Sequence, residues 1–82
     1  MPSNFTHIGE AIRARREKLG LTQRELCVRL EWKPGRVSEI SDIESGKTAN
    51  ITLARLDAFA HALDCHSGDL VFMVNTQVKR TA

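Results

Sequence analysis

The sequence lacks the features that mark several classes of protein. It has only two cysteines, Cys27 and Cys65, which do not make the disulfide framework of a small secreted domain. Its longest apolar run, Leu70 to Val74, is far too short to span a bilayer. The N-terminus does not show the basic and then apolar segments of a signal peptide. These absences predict a cytoplasmic protein.

Residue patterns that carry catalysis or bind metals are also missing. The sequence has no glycine-rich phosphate loop, no paired carboxylates in a predicted cleft, and no Ser/His/Asp or Cys/His arrangement. His61, Cys65 and His66 are close together, but a fourth ligand at a standard metal-binding spacing is lacking. We therefore expect no enzyme, no metal site and no cofactor.

The composition that is present fits one small domain with an uneven charge. Of the 82 residues, 41% are hydrophobic, and a core this small makes dimerisation a reasonable supplement to its stability. Residues 1–36 carry eight Lys/Arg and four Asp/Glu, whereas residues 37–82 carry four and six. A basic N-terminal half suits a polyanionic partner, although solvated helix faces are also charged.

Hydrophobic spacing and capping residues predict an all-α chain. Helix 1 is expected from the capping residues at 3–6 to Leu19. Its inward stripe is predicted to consist of Phe5, Ile8, Ile12, Arg15 or Arg16, and Leu19. Helix 2 is expected from Thr22 to about Glu31, because Thr22 and Glu25 have the spacing of a capping box.

Three further helices are predicted in the rest of the chain. Helix 3 is expected to begin at Lys33 or Pro34, since proline fits the first helical turn. After a loop at 47–51, Thr52 is expected to cap helix 4, and a short helix 5 is expected to start near Ser67. The buried stripe of helix 4 is predicted to be Leu53, Leu56, Phe59, Ala60 and Leu63.

The C-terminal end leaves two structures open. Residues 71–76 fit either the end of helix 5 or a short strand, because they are rich in β-forming residues. We place the domain at residues 1–74 and a flexible tail at 75–82.

One stretch, from Gly20 to Lys47, is organised as two helices around a short glycine-containing turn. Its residues are Gly20-Leu21-Thr22-Gln23-x-x-Leu26, then Trp32-x-x-x-x-Val37-Ser38-x-Ile40, and then Glu44-x-Gly46-Lys47. This pattern resembles the Cro/C1-type (Xre) helix-turn-helix family of repressors, over roughly residues 8–71. The resemblance implies a five-helix, lambda-repressor-like domain whose second motif helix enters the DNA major groove.

The chain departs from the family pattern inside the predicted recognition helix. Members usually run Val-Ser-x-Ile-Glu-x-Gly, but here Ser41-Asp42-Ile43 stands between Ile40 and Glu44. Either helix 3 is nearly one turn longer, with both isoleucines inward, or the turn before it is longer. We favour the longer helix, because residues 32–38 align with the family without a gap.

The resemblance implies which residues contact DNA. Gln23 matches the family's phosphate-clamping glutamine, while Thr22 is first a helix cap. Lys33 and Arg36 stand at the exposed start of helix 3, where an arginine can grip guanine with two hydrogen bonds. The full predicted set is Thr22, Gln23, Lys33, Arg36, Ser38, Glu39, Lys47 and Thr48. The alternative for the basic residues is a solvated surface.

Acidic residues in helix 3 have two interpretations. Glu39 can accept a hydrogen bond from cytosine N4, but phosphates also repel it. Asp42 disfavours DNA contact if it faces outward, unless it pairs with Arg36 or Lys47 on the protein.

Other positions of the motif are expected to be structural. Glu44 matches a glutamate that the family often pairs with an arginine of helix 1, for which Arg13 and Arg16 are the candidates. We expect Trp32 to pack in the turn against helices 2 and 3, and Cys27 to be a small core residue.

Three functions remain open at this point. The first is a sequence-specific DNA-binding regulator, acting as a homodimer on a near-palindromic operator through an interface at Leu70, Phe72 and Val74. The second is an antitoxin-type protein that binds a toxin and represses its own operon. The third is an interaction module that has lost DNA binding.

Overall fold

The computed structural model describes residues 7–48 and 50–74, except for the side chain of Met73. Within them the chain forms five α-helices and one short 3-10 turn, which confirms the all-α fold. The helices are α1 (Ile8–Lys18), α2 (Gln23–Arg29), α3 (Val37–Glu44), α4 (Leu53–Ala62) and α5 (Ser67–Met73), with the 3-10 turn at Pro34–Arg36. No helix in the described part is long and apolar enough to cross a membrane.

The start of α2 follows directly from its sequence. The Thr22 side chain accepts a hydrogen bond from the Glu25 backbone N–H at 3.0 Å, and the Glu25 carboxylate accepts one from the Thr22 N–H at 2.8 Å. This reciprocal pair satisfies two N–H groups that the helix start would otherwise leave free. The predicted capping box is therefore confirmed.

Helix α1 begins later than predicted. His7 is its N-cap residue, and the predicted caps at 3–6, with Phe5, lie outside the described residues. The inward face includes the fully buried Ile12, and Arg16 rather than Arg15 is the arginine that turns inward.

The core lies where the inward faces of all five helices meet. Phe59 of α4 is its largest fully buried side chain, and Leu53, predicted for the same stripe, is instead exposed at the first position of α4. The buried apolar residues are Ala11, Ile12, Leu26, Cys27, Ile40, Ile43, Leu56, Phe59, Ala60, Ala62, Leu63 and Leu70. Cys27 is thus a core residue, as predicted.

Glycine is needed at two positions of the fold, for different reasons. Gly9 is buried where α1 crosses α3, and a Cβ there would overlap the backbone carbonyl of Ile43. The close crossing therefore requires a residue without a side chain. Gly46 has a φ of 87° just after α3, the left-handed conformation that commonly ends a helix.

Two arginines hold the end of α4. Arg15 donates hydrogen bonds to the carbonyl oxygens of Leu63 and Asp64, both at 3.0 Å. Arg29 donates to the carbonyl of Ala62, also at 3.0 Å. Cations suit a helix C-terminus, where carbonyl groups lack intrahelical partners. Both arginines therefore contribute to the packing of α4 against the rest of the domain.

The first three residues of the ambiguous segment 71–76 are helical. Helix α5 continues to Met73, and Val74 follows with an extended backbone. Residues 75 and 76 lie outside the described part of the chain, as does the rest of the predicted tail.

Candidate nucleic-acid interface

The segment from Lys33 to Glu39 lies on the protein surface. Lys33 and Ser38 are exposed, whereas Arg36 and Glu39 are half-buried. Helical backbone is continuous from the 3-10 turn into α3, because the two elements adjoin at Arg36 and Val37. Four of the eight side chains predicted to meet DNA, those of Lys33, Arg36, Ser38 and Glu39, therefore lie together at the surface of this segment.

Arg36 is held by two neighbours within this segment. Its Nε donates to Oε1 of Glu39 at 2.9 Å, and its Nη2 lies 2.8 Å from the same oxygen in an ion-pair contact. Its guanidinium carbon lies 3.8 Å from the centre of the Trp32 ring, a cation–π distance. The Trp32 ring in turn meets the buried Phe59 edge-on, with ring centres 5.6 Å apart. Trp32 thus packs against the core, as predicted, but its aromatic ring contact is with Phe59 of α4 and not with helices 2 and 3; the same ring also lies against Arg36.

The additional residues Ser41-Asp42-Ile43 follow the favoured alternative, the longer helix. Ile40 and Ile43 are both buried, as the longer helix requires. The α-helix itself covers only Val37–Glu44, and the chain before it is a 3-10 turn that starts at Pro34. Ser41-Asp42-Ile43 therefore lies within α3, which ends at Glu44, and the 3-10 turn at Pro34–Arg36 precedes these three residues.

A buried ion pair joins α1 to the end of α3. Arg16 donates from Nε to Oε2 of Glu44 at 2.7 Å and from Nη2 to Oε1 at 3.0 Å. The two side chains are only 10% and 4% exposed, and the hydrogen bond to Glu44 raises the pKa of Arg16. This confirms the predicted structural pair and selects Arg16, since Arg13 instead pairs with Glu17.

Gln23 belongs to the same network. Its Nε2 donates to Oε1 of Glu44 at 3.0 Å, so its amide ties the start of α2 to the end of α3. The group opens into a polar surface hollow of about 250 Å³. The hollow is lined by Arg13, Arg16, Gln23, Ser41, Glu44 and Ser45. Sequence reasoning assigned Gln23 a phosphate and did not foresee its bond to Glu44.

The loop after α3 carries two more predicted contact residues. Lys47 and Thr48 are both exposed. The Thr48 N–H donates to the Asp42 carbonyl oxygen at 3.0 Å, as does the Ser45 hydroxyl at 3.2 Å. Asp42 therefore organises the loop through its backbone, and Arg36 pairs with Glu39 rather than with Asp42.

The predicted dimer residues differ in their surroundings. Leu70 is fully buried in the core of its own chain, so it offers no surface to a second copy and that assignment is corrected. Phe72 is 87% exposed, and Val74 lines an apolar groove of about 410 Å³. The groove is formed by His7, Ile8, Asn50, Ile51, Leu56, Val71 and Val74.

A metal-binding or thiol-based site finds no support in the described residues. No group of three or more His, Cys, Asp or Glu side chains within 7–48 and 50–74 is arranged to hold a metal ion. Cys65 is half-buried, and desolvation raises the pKa of its thiol, which lowers the share of reactive thiolate at neutral pH.

Comparison with known proteins identifies this arrangement. A family model described as a helix-turn-helix domain matches residues 7–71, which is most of the chain. The chain belongs to the helix-turn-helix family. A search of curated proteins gives no match.

Two solved structures are similar to this helix-turn-helix chain. The crystal structure of the clp gene regulator ClgR from C. glutamicum is 27% identical, with a TM-score of 0.69 over 92% of this chain and 88% of that one. The crystal structure of Apo-HppE is 26% identical, with a TM-score of 0.67. That match covers 83% of this chain but only 36% of the other.

Proposed function

We propose that this protein is a sequence-specific DNA-binding transcriptional regulator of the Cro/C1 (Xre) type. The observation that carries the proposal is the exposed helical segment with Lys33 and Arg36 at its start, held by the buried Ile40 and Ile43. The family match supports it, because helix-turn-helix domains place such a segment in the major groove. The similarity to a gene regulator over nearly the whole chain supports it further.

The residues divide into two roles on DNA. Arg36 is assigned to a base edge, because a guanidinium can bind O6 and N7 of guanine together. Phosphate contacts are assigned to Lys33, Lys47 and Gln23. We also assign phosphate contacts to Thr48, which follows Lys47, and to Ser38 of α3. Thr22 acts as the cap that fixes the start of α2, so its effect on DNA is indirect.

The division is tested with duplexes that the wild-type protein selects from a random library. Arg36→Ala should weaken binding to a selected duplex by about 1–3 kcal/mol and leave random DNA nearly unaffected. Lys47→Ala should weaken both duplexes equally and lower the salt dependence by about one phosphate contact. Fluorescence anisotropy at several salt concentrations measures both. Equal losses on both duplexes from both variants would contradict the assignment.

We further propose that the regulator acts as a homodimer and represses from a near-palindromic operator. Phe72 and the neighbouring Val71 are exposed apolar residues on α5, beside the groove that Val74 lines. An exposed apolar surface on so small a protein is typical of an interface. A twofold dimer would present two recognition segments about 34 Å apart, one turn of DNA.

Light scattering tests the dimer at micromolar concentration. The wild-type mass should be that of two chains, and Phe72→Asp should reduce it to one chain. Val28→Asp is the matched control, since Val28 is also exposed but lies on α2. A wild-type monomer that co-purifies with another protein would instead favour an antitoxin-type partner at this surface.

A further inference from the structure

We propose that Glu39 is a positioning residue that sets Arg36 for reading one base pair. This inference rests on the DNA-binding function proposed above. It assigns to Glu39 a contact with the protein's own arginine in place of a contact with a base.

The hydrogen bonds of Arg36 leave one edge of its guanidinium free. An arginine has five N–H donors; here Nε donates to Oε1 of Glu39, and Nη2 contacts the same oxygen as an ion pair. These two nitrogens form the side edge of the planar guanidinium group. The end edge, formed by Nη1 and the second hydrogen of Nη2, has no acceptor among the described contacts. That end edge has the paired geometry that binds O6 and N7 of guanine.

Trp32 restrains the same group from below. The guanidinium carbon is 3.8 Å from the ring centre, and the ring is itself fixed by its edge-on contact with Phe59, which is fully buried. A flexible arginine loses rotamer freedom when it binds a base. Because Arg36 is already held by Glu39 and Trp32, it loses less rotamer freedom on binding. Its contact with a base therefore favours the preferred base more strongly.

The charge of Glu39 supports specificity rather than affinity. A carboxylate on a DNA-facing helix repels phosphates, so it lowers binding to every sequence. Because Glu39 weakens binding to all sequences but also holds Arg36 in place for one base, it increases the difference in affinity between the preferred sequence and other sequences. Its side chain is 43% exposed, which leaves the pair accessible to the groove.

Selection from a random duplex library tests this role with a matched control. Asp42→Ala removes the same charge from the same helix, but Asp42 does not pair with Arg36. Wild type and Asp42→Ala should select the same guanine in each half-site. Glu39→Ala should lower the preference for that guanine about tenfold, at the position that Arg36→Ala also loses. Affinity for random duplexes should rise equally in Glu39→Ala and Asp42→Ala.

A spectroscopic measurement in the absence of DNA gives the second readout. The Trp32 ring should shift the side-chain NMR signals of Arg36 upfield in wild type and in Asp42→Ala. Glu39→Ala should move these signals toward their free values, since the side-on contact is lost.

The outcomes separate this inference from the function on which it rests. If wild type enriches no sequence, the proposed function fails and the inference fails with it. If wild type enriches an operator and Glu39→Ala selects it unchanged, the inference alone fails. The inference would also be overturned if Glu39→Ala lost the preference for a cytosine at a position where Arg36→Ala kept it. Glu39 would then contact a base itself.

Discussion

Two arginine–glutamate pairs stand in opposite environments of this domain. Arg16 and Glu44 join α1 to α3 with side chains only 10% and 4% exposed. Arg36 and Glu39 lie one turn apart on the surface, with side chains 37% and 43% exposed. Both pairs use two nitrogens of the arginine at hydrogen-bond distance. Burial, rather than the residue types or the distances, distinguishes what each pair can do.

The buried pair has a structural role, because it connects helices of the core. Glu44 accepts hydrogen bonds from Arg16 and Gln23, while Arg16 also donates to the Leu21 carbonyl at 2.7 Å. Three helices therefore depend on one carboxylate that is almost out of water. The surface pair is open to solvent, and the unused edge of the Arg36 guanidinium can bind a further partner while the contact with Glu39 is kept.

The largest expected effect is at Glu44. Glu44→Ala should lower the free energy of unfolding by about 3–5 kcal/mol, because the buried Arg16 charge loses its partner. Urea denaturation followed by circular dichroism measures the change. The double variant Arg16→Met with Glu44→Leu should lose less than Glu44→Ala, since it leaves no buried charge. If the double variant is the less stable of the two, the loss comes from packing and not from charge.

A smaller effect is expected beside that pair, at the crossing of α1 and α3. Gly9→Ala should cost about 1–3 kcal/mol, because the new Cβ overlaps the Ile43 carbonyl and the helices must move apart. Gly68→Ala is the control, since a Cβ there meets nothing within 4 Å. Thermal denaturation should show a lower Tm for the first variant only. Equal Tm values would mean that the helices can separate freely.

The smallest effect on stability is expected for the surface pair. Glu39→Ala should change the free energy of unfolding by no more than about 1 kcal/mol, because exposed ion pairs contribute little and alanine favours the helix. The same denaturation experiment as for Glu44→Ala gives the comparison directly. A loss as large as that of Glu44→Ala would remove the distinction between the two pairs.

Local features of the fold were predictable because each depends on residues close together in the chain. The capping box of Thr22 and Glu25 lies within four consecutive residues, and its geometry follows from helix backbone alone. The inward positions of Ile40 and Ile43 follow from helical spacing in the same way. The pairing of an α1 arginine with Glu44 came from the family pattern, not from spacing.

Other contacts were not predicted, one of them local and the others between residues far apart in the chain. The spacing of Arg36 and Glu39, three residues apart on a helix, was a signal that sequence reasoning passed over. No such signal exists for Arg15 and Arg29, which reach the end of α4 from two other helices. Nor does any local pattern indicate that Leu70 faces its own core and not a partner.

The amino-acid sequence decided the helices, their caps and the membership of the helix-turn-helix family, since these depend on short-range spacing and backbone chemistry. Tertiary packing decided which arginines are buried, which glycine permits a close helix crossing, and which side of α5 remains exposed. Those properties depend on how five helices share one small core, and a residue's place there is set by elements far away in the chain.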